Sequence, residues 1–244
     1  MDDPVSGDPP VSELDSWKRL AARDAVAAIP DGAVVGLGTG STADFMLQEL
    51  AARVRGGLRV TGVATSDRTA ARAQALGIPL ADLNDRTHVS LSIDGADEIT
   101  LPHLNLIKGR GGALLKEKLV ASASAFRIII ADETKIVHTL GMNSDVPVEV
   151  VPFGWKMTAQ RLVEADCRPT LRTVVAPDLS TRPFITDCGN FILDCRCEAL
   201  DHPEDMASRL KAIVGVVEHG LFIGMTDRVY IGGPSIVHVF NRPA

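Results

Sequence analysis

The sequence predicts an α/β fold built on a parallel sheet, followed by a smaller α+β unit, on three observations. Short apolar runs with little polar alternation, such as "AVVGLGT" and "FRIIIADET", take turns with amphipathic stretches up to about residue 145; that is the pattern of strands covered on both faces by helices. From about Val146 the order becomes β-α-β-β-α-β, the split βαβ arrangement of ferredoxin-like units. Glycine- and hydroxyl-rich turns follow the apolar runs, at the strand ends where open α/β sheets gather their ligands. The expected division is a disordered acidic tail over residues 1–12, a Rossmann-like unit over 13–145 plus 223–244, and a ferredoxin-like unit over 146–222.

Taken in order, "SELDSWKRLAARDAVAAI" (12–29) has helical amphipathicity, with Ser12 or Asp15 as N-cap. "PDG" (30–32) is a turn, "AVVGLGT" a buried strand and "STADFMLQELAARV" the helix after it. "LRVTGVAT" (58–65) is the second strand, then comes helical "SDRTAARAQAL" with a turn at Gly77. "IPLADL" and "VSLSIDGADEI" are read as further strands, "ALLKEKLVASA" as a helix after a glycine loop, and "FRIIIADET" (126–134) as a strand buried on both faces. In the smaller unit "VPVEVV", "LRTVV", "FILDCRC" and "VVEHGLFIGM" are strands, and "GWKMTAQRLVEA" and "PEDMASRLKAIV" helices. A final "RVYIGG…IVHVF" is apolar enough to return to the first sheet.

The 244 residues are 45% hydrophobic and 23% charged, with a formal net charge of −6, as befits a globular chain with a substantial core. No Lys/Arg cluster marks a nucleic-acid face, and no apolar run approaches the roughly 18 residues of a membrane span. The opening "MDDPVSGDPPVSE" is the reverse of a signal peptide in charge, so a cytoplasmic setting is expected. The four cysteines, Cys167, Cys188, Cys195 and Cys197, are expected to be reduced. "CRC" lacks zinc-site spacing and the six histidines are scattered, so no metal is expected.

Three loops carry the chemistry. In "GLGTGSTA" the glycines Gly36, Gly38 and Gly40 are spaced G-x-G-x-G. A dinucleotide fingerprint needs G-x-G-x-x-G, although Asp67 would serve as its ribose acid, and a P-loop needs a lysine that is not there. What remains is "TGST" (39–42) at a helix start, which is either an anion site or an ordinary helix cap. "SIDGADEI" (92–99) sets Asp94 and Asp97 around Gly95 and Ala96 beyond a strand. These acids could bind Mg²⁺, but no triphosphate loop accompanies them, and hydroxyl recognition or proton transfer suits them better. "KGRGGALLKEK" (108–118) offers Lys108, a backbone open to close approach at Gly109, Gly111 and Gly112, and Glu117 on the following helix; "ADETK" adds Lys135. Such a set fits cofactor-free proton transfer beside a carbonyl, on a small phosphorylated and hydroxylated ligand.

The four motifs "GLGTGSTA", "SIDGADEI", "KGRGGALLKEK" and "ADETK", in this order and spacing, closely resemble those of ribose-5-phosphate isomerases of the A type, and the likeness runs from about Ser12 to the C-terminus. The resemblance implies interconversion of D-ribose 5-phosphate and D-ribulose 5-phosphate in the non-oxidative pentose phosphate pathway, with no cofactor. It implies that Glu117 shuttles a proton between C1 and C2, and that Asp94, with Asp97 beside it, assists ring opening and proton movement at the hydroxyls. Lys108 would steady the enediolate; Thr39, Gly40, Ser41 and Thr42 would hold the phosphate with Lys135, and Lys18 would add a cation from the first helix. Gly95, Ala96, Gly109, Arg110 and Gly111 complete the implied substrate-binding set, and a homodimer or homotetramer is expected. Arg110 departs from the unbroken glycine run of many relatives.

Two other readings stand beside this one. A sugar-phosphate sensor would not need Glu117 and would normally carry a helix-turn-helix, for which residues 1–29 are too short and too acidic. A related isomerase or deaminase acting on another phosphosugar would share most of the set.

Overall fold

The computed structural model describes residues 12–197 and 200–243, so the expected tail, apart from Ser12, lies outside the described residues. The chain opens with α1 (Glu13–Ala27), β1 (Ala33–Leu37), α2 (Ser41–Arg55), β2 (Val60–Ala64) and α3 (Asp67–Ala75). It continues through β3 (Leu91–Asp94), β4 (Glu98–Thr100), β5 (Leu106–Ile107), α4 (Leu114–Ala123), β6 (Arg127–Asp132) and β7 (Ile136–Val137). Next come β8 (Val146–Val150), α5 (Trp155–Glu164), β9 (Arg168–Leu171), β10 (Thr173–Val175), β11 (Thr181–Pro183) and β12 (Phe191–Arg196). The last elements are α6 (Pro203–Lys211), β13 (Val216–His219), β14 (Leu221–Phe222), β15 (Arg228–Gly232) and β16 (Val237–Asn241). Ser12 is the cap of α1, its Oγ accepting from the Asp15 N–H at 3.1 Å.

A six-stranded sheet, ordered β16-β15-β6-β3-β1-β2, is parallel throughout except where β16 pairs antiparallel with β15. The continuous apolar run of β6 is explained by burial on two faces. Ile128 and Ile130 join the core formed with Ala22 and Ala25 of α1 and Met46 and Leu50 of α2. Ile129 and Ala131, one residue out of phase, join Ile99, Leu106 and Phe222 on the opposite face.

The smaller sheet, ordered β13-β8-β12-β9, is antiparallel throughout. With α5 and α6 it encloses a second core that includes Val148, Leu162, Leu193 and Leu210. The expected α/β Rossmann-like plus ferredoxin-like (βαββαβ) architecture is therefore the observed one.

Four expected strands are corrected. "IPLADL" forms no strand: Pro79 has no N–H to donate, and contact with the sheet reduces to Gly62 N–H to Pro79 C=O and Ala81 N–H to Gly62 C=O. "VSLSIDGADEI" stops at Asp94, and Glu98–Thr100 belongs to a separate four-stranded sheet ordered β14-β5-β4-β7. "LRTVV" breaks at Arg172: Leu171 pairs with β12, whereas Thr173–Val175 pairs with Thr181–Pro183 in a hairpin. "VVEHGLFIGM" breaks at Gly220, whose carbonyl accepts from Lys108 N–H at 2.8 Å. A Cβ at Gly220 would run into the Lys108 carbonyl, so the backbones cross there only because the residue is glycine. Among the described residues no helix is long and apolar enough to cross a membrane.

Candidate active site

Strands β1, β3 and β6 all deliver their carboxyl ends to one edge of the main sheet, and the segments that leave them turn around a pocket of about 300 Å³. The pocket is lined by Lys18, Thr39–Thr42, Gly95–Asp97, Lys108–Gly111, Glu117 and Lys135. Every site residue expected from the sequence therefore meets there except Asp94, which lies behind the wall. The loops lie within reach of one another: a Cβ on Gly111 would sit 3.6 Å from the Thr39 methyl, and one on Gly95 3.8 Å from Thr42 Cβ, both ordinary contact distances.

Asp94 is buried and fully engaged. Its Oδ1 accepts from Thr39 N–H at 3.1 Å and Gly95 N–H at 2.7 Å, and its Oδ2 lies 3.0 Å from Lys108 Nζ. Burial raises the Asp94 carboxyl above its ordinary range, against the pull of Lys108 and the two amides. Gly38 makes this placement possible, since a Cβ there would occupy the space of the Asp94 carboxylate. Lys108 Nζ also donates to the Gly95 carbonyl at 2.6 Å and lies 3.4 Å from Glu117 Oε2. Burial alone would push the Lys108 ammonium down, but Asp94, Glu117 and Asp97 outweigh it and hold the group charged, above its usual value.

Glu117 projects from the first turn of α4, only 4% exposed, and its Oε2 has no hydrogen-bond partner. Burial first, then the negative charge of Asp94, push its carboxyl up to about 8, with Lys108 acting in the opposite sense. A buried carboxyl in a pocket wall, with no hydrogen bond on Oε2 and only an ammonium 3.4 Å away, has the properties of a general base set near neutral pH. Asp97 lines the same pocket, and its Oδ2 accepts from Arg110 N–H at 3.1 Å.

At the other side of the pocket α2 begins with no side-chain cap, so its first-turn N–H groups are left for a ligand. Gly40 precedes it with φ +120°, a conformation that favours glycine. Thr39 departs from the expected role in part. Its Oγ1 is held among Thr65 Oγ1 at 2.8 Å, Ser66 Oγ at 2.8 Å and Thr69 Oγ1 at 3.0 Å. Its N–H is given to Asp94, so Thr39 shapes the loop while Ser41 and Thr42 keep the open helix end. Lys18, ion-paired with Asp15 at 3.3 Å, and Lys135, in a single 3₁₀ turn after β6, bring cations to the lining.

The sequence reading missed the residues that steady these loops from a distance. Arg172 Nη1 donates to the carbonyls of Gly109 at 3.0 Å and Arg110 at 3.1 Å, while its Nε and Nη2 grip the carboxylate of Asp194 on β12. Phe184 lies against Gly112, where a Cβ would meet its ring. Thr65, Ser66 and Thr69 hold Thr39. None of these carries a local motif, and only the fold brings them near. Among the described residues no three His, Cys, Asp or Glu side chains are placed to hold a metal ion.

Comparison with known proteins points one way. Residues 61–235 match the family model of ribose 5-phosphate isomerase A (phosphoriboisomerase A). A ribose-5-phosphate isomerase A of Synechococcus sp. (strain JA-3-3Ab) is 50% identical over 233 residues, 95% of this chain and 100% of the relative. That of Gloeobacter violaceus is 48% identical over 95% of this chain and 99% of its own. Among solved structures, a D-ribose-5-phosphate isomerase in complex with phospho-erythronic acid superposes with a TM-score of 0.89, at 37% identity over 94% of this chain and 99% of that one. The ribose 5-phosphate isomerase A of Methanocaldococcus jannaschii gives 0.87 at 35% identity, over 93% of this chain and 99% of that one.

Proposed function

Because the chain belongs to the ribose 5-phosphate isomerase A family, whose members are aldose–ketose isomerases, we propose that it interconverts D-ribose 5-phosphate and D-ribulose 5-phosphate through an enediolate, with Glu117 as the base. The observation that carries this reading is the orphaned, buried Glu117 carboxyl beside Lys108. In the open-chain aldose the Glu117 carboxylate takes the proton from C2, and the C1 carbonyl oxygen gains the negative charge. The Lys108 ammonium, held by Asp94 and only 3% exposed, stabilises that oxyanion. Glu117 then returns the proton to C1 as O2 becomes the carbonyl, and the hydroxyl proton passes from O2 to O1. Asp97, on the pocket wall, is the carboxylate assigned to that hydroxyl transfer and to opening the sugar ring. Asp94 has both oxygens committed and acts by holding Lys108.

The open N-terminus of α2 and the lysines Lys18 and Lys135 supply the phosphate site. Support for a phosphorylated polyhydroxy ligand comes from the relative solved with phospho-erythronic acid, a phosphorylated sugar acid. The deciding experiment is ribose 5-phosphate to ribulose 5-phosphate conversion by purified protein in EDTA, with Glu117→Gln alongside. Turnover by the wild type and a loss of at least ~10³-fold in kcat for the variant, with binding retained, are expected. Equal turnover by both proteins would move the base elsewhere, and inhibition by EDTA would reopen a metal role for Asp94 and Asp97.

A further inference from the structure

Three of the four cysteines fall in the core of the smaller sheet, away from the residues that line the active-site pocket. Strand β12 pairs antiparallel with β9 through Arg196↔Arg168 and Cys195↔Pro169. Carrying that register one step outward sets Cys197 directly opposite Cys167. Directly opposed residues of an antiparallel pair have Cα atoms roughly 4.5–5.5 Å apart, inside the roughly 4.4–6.8 Å range a disulfide spans. The side chains agree with the backbone, for Cys167 Sγ lies 3.0 Å from Cys197 Sγ, about 1 Å beyond a disulfide bond. Cys195 points to the same face of β12 but stands opposite Pro169. Both cysteines are buried, Cys167 1% and Cys197 4% exposed, but they stand at the wall of a groove. Both sulfur-bearing residues line a pocket of about 850 Å³, together with Met142, Met206, Asp166 and Arg209.

We propose that Cys167 and Cys197 are a dithiol that a hydroperoxide oxidises to a cross-strand disulfide. The Cys167 thiolate attacks one peroxide oxygen, forming the sulfenic acid and releasing hydroxide or alkoxide. Cys197 then attacks the Cys167 sulfur and forms the S–S bond. Its thiol proton leaves with the expelled hydroxide as water. Two thiols are oxidised by two electrons in all, and the peroxide O–O bond is reduced. The roles follow from the environment. Hydrogen bonds from the Cys195 and Cys197 thiols hold the Cys167 thiol well below its usual range, whereas Cys197, whose proton is shared toward Cys167, is held above it.

The test uses the full chain with the exposed Cys188 replaced, Cys188→Ser, treated with hydrogen peroxide and then denatured for thiol titration and peptide mapping. Three free thiols should fall to one, with Cys167 and Cys197 in a single cross-linked peptide that dithiothreitol separates. In the Cys188→Ser/Cys197→Ser protein the bridge should vanish, and a sulfenic-acid trap such as dimedone should label Cys167. Three thiols left intact after peroxide, or a bridge that uses Cys195 in place of Cys197, would overturn the proposal.

Discussion

At the scale of single residues the isomerase reading makes a pH prediction whose sign is fixed. A base must be unprotonated in the free enzyme, and the Glu117 carboxyl is pushed up to about 8. Below that pH kcat/KM should therefore climb roughly tenfold per unit and then level off. Asp97 contributes to the upward push, so Asp97→Asn should move the limb to lower pH even as it slows turnover. A limb unmoved by Asp97→Asn would mean that Glu117 is not the group that titrates. The same shift has a consequence for stability. Between an unfolded value near 4.5 and a folded value of about 8, the folded state binds the extra proton, so stability falls as pH rises through that window. The loss attributable to Glu117 is on the order of a few kcal/mol. Urea titrations at pH 5 and pH 8.5 should show wild type losing more stability than Glu117→Gln over that interval. Lys135→Ala should mainly raise KM, since its proposed partner is the phosphate, which does not react; an equal fall in kcat with KM unchanged would count against that role.

At the scale of elements, the turn from β1 into α2 leaves little freedom. Gly38 admits no Cβ because the Asp94 carboxylate fills that space. Gly38→Ala should destabilise the protein by about 1–3 kcal/mol and lower kcat by ~10²-fold through displacement of Asp94 and hence of Lys108. Gly32→Ala is the control: its φ is +79° with open space around the added Cβ, so it should lose about 1 kcal/mol and leave kcat unchanged. A catalytically normal Gly38→Ala would show that Asp94 does not need its present seat. The same elements show what a sequence discloses. β6 was legible because four consecutive residues, Ile128–Ala131, feed two cores in alternation, which an unbroken apolar run such as "IIIA" can do. The two-residue strand Leu106–Ile107 was not legible, for it is too short to carry a period and takes its pairing from Glu98–Ile99 and Leu221–Phe222; the latter was legible only as the tail of a longer strand that Gly220 breaks. Thr39 was half legible. The motif located the loop, but that its hydroxyl turns inward depends on Thr65, Ser66 and Thr69, which lie 26 to 30 residues away.

Across the whole molecule, one guanidinium ties the smaller sheet to the active-site loop. Arg172 stands where β9 gives way to β10, gripped by Asp194 of the smaller sheet, and its remaining donors reach the carbonyls of Gly109 and Arg110 in the loop between Lys108 and Glu117. That loop runs on glycines and needs an external partner to hold one shape. Arginine suits the task because its rigid fork serves a carboxylate on one edge and carbonyls on the other, which a lysine cannot do at once. Nothing in "LRTVV" marks Arg172, since its partners lie 22 residues ahead and 62 and 63 residues behind. Arg172→Ala takes the guanidinium from both loop carbonyls, leaving Gly109 only its bond from Gly112 N–H, and leaves the Asp194 carboxylate without its partner; it should lower kcat/KM by ~10- to 100-fold as the loop loses its set position. Arg172→Lys should restore little of that activity. Asp194→Asn should fall between wild type and Arg172→Ala, because the neutral amide still accepts one hydrogen bond. If Arg172 only held the sheets together, all three variants would lose stability in that order and keep the wild-type kcat. If it positions the loop, kcat should fall in the same order even at temperatures where every variant is fully folded.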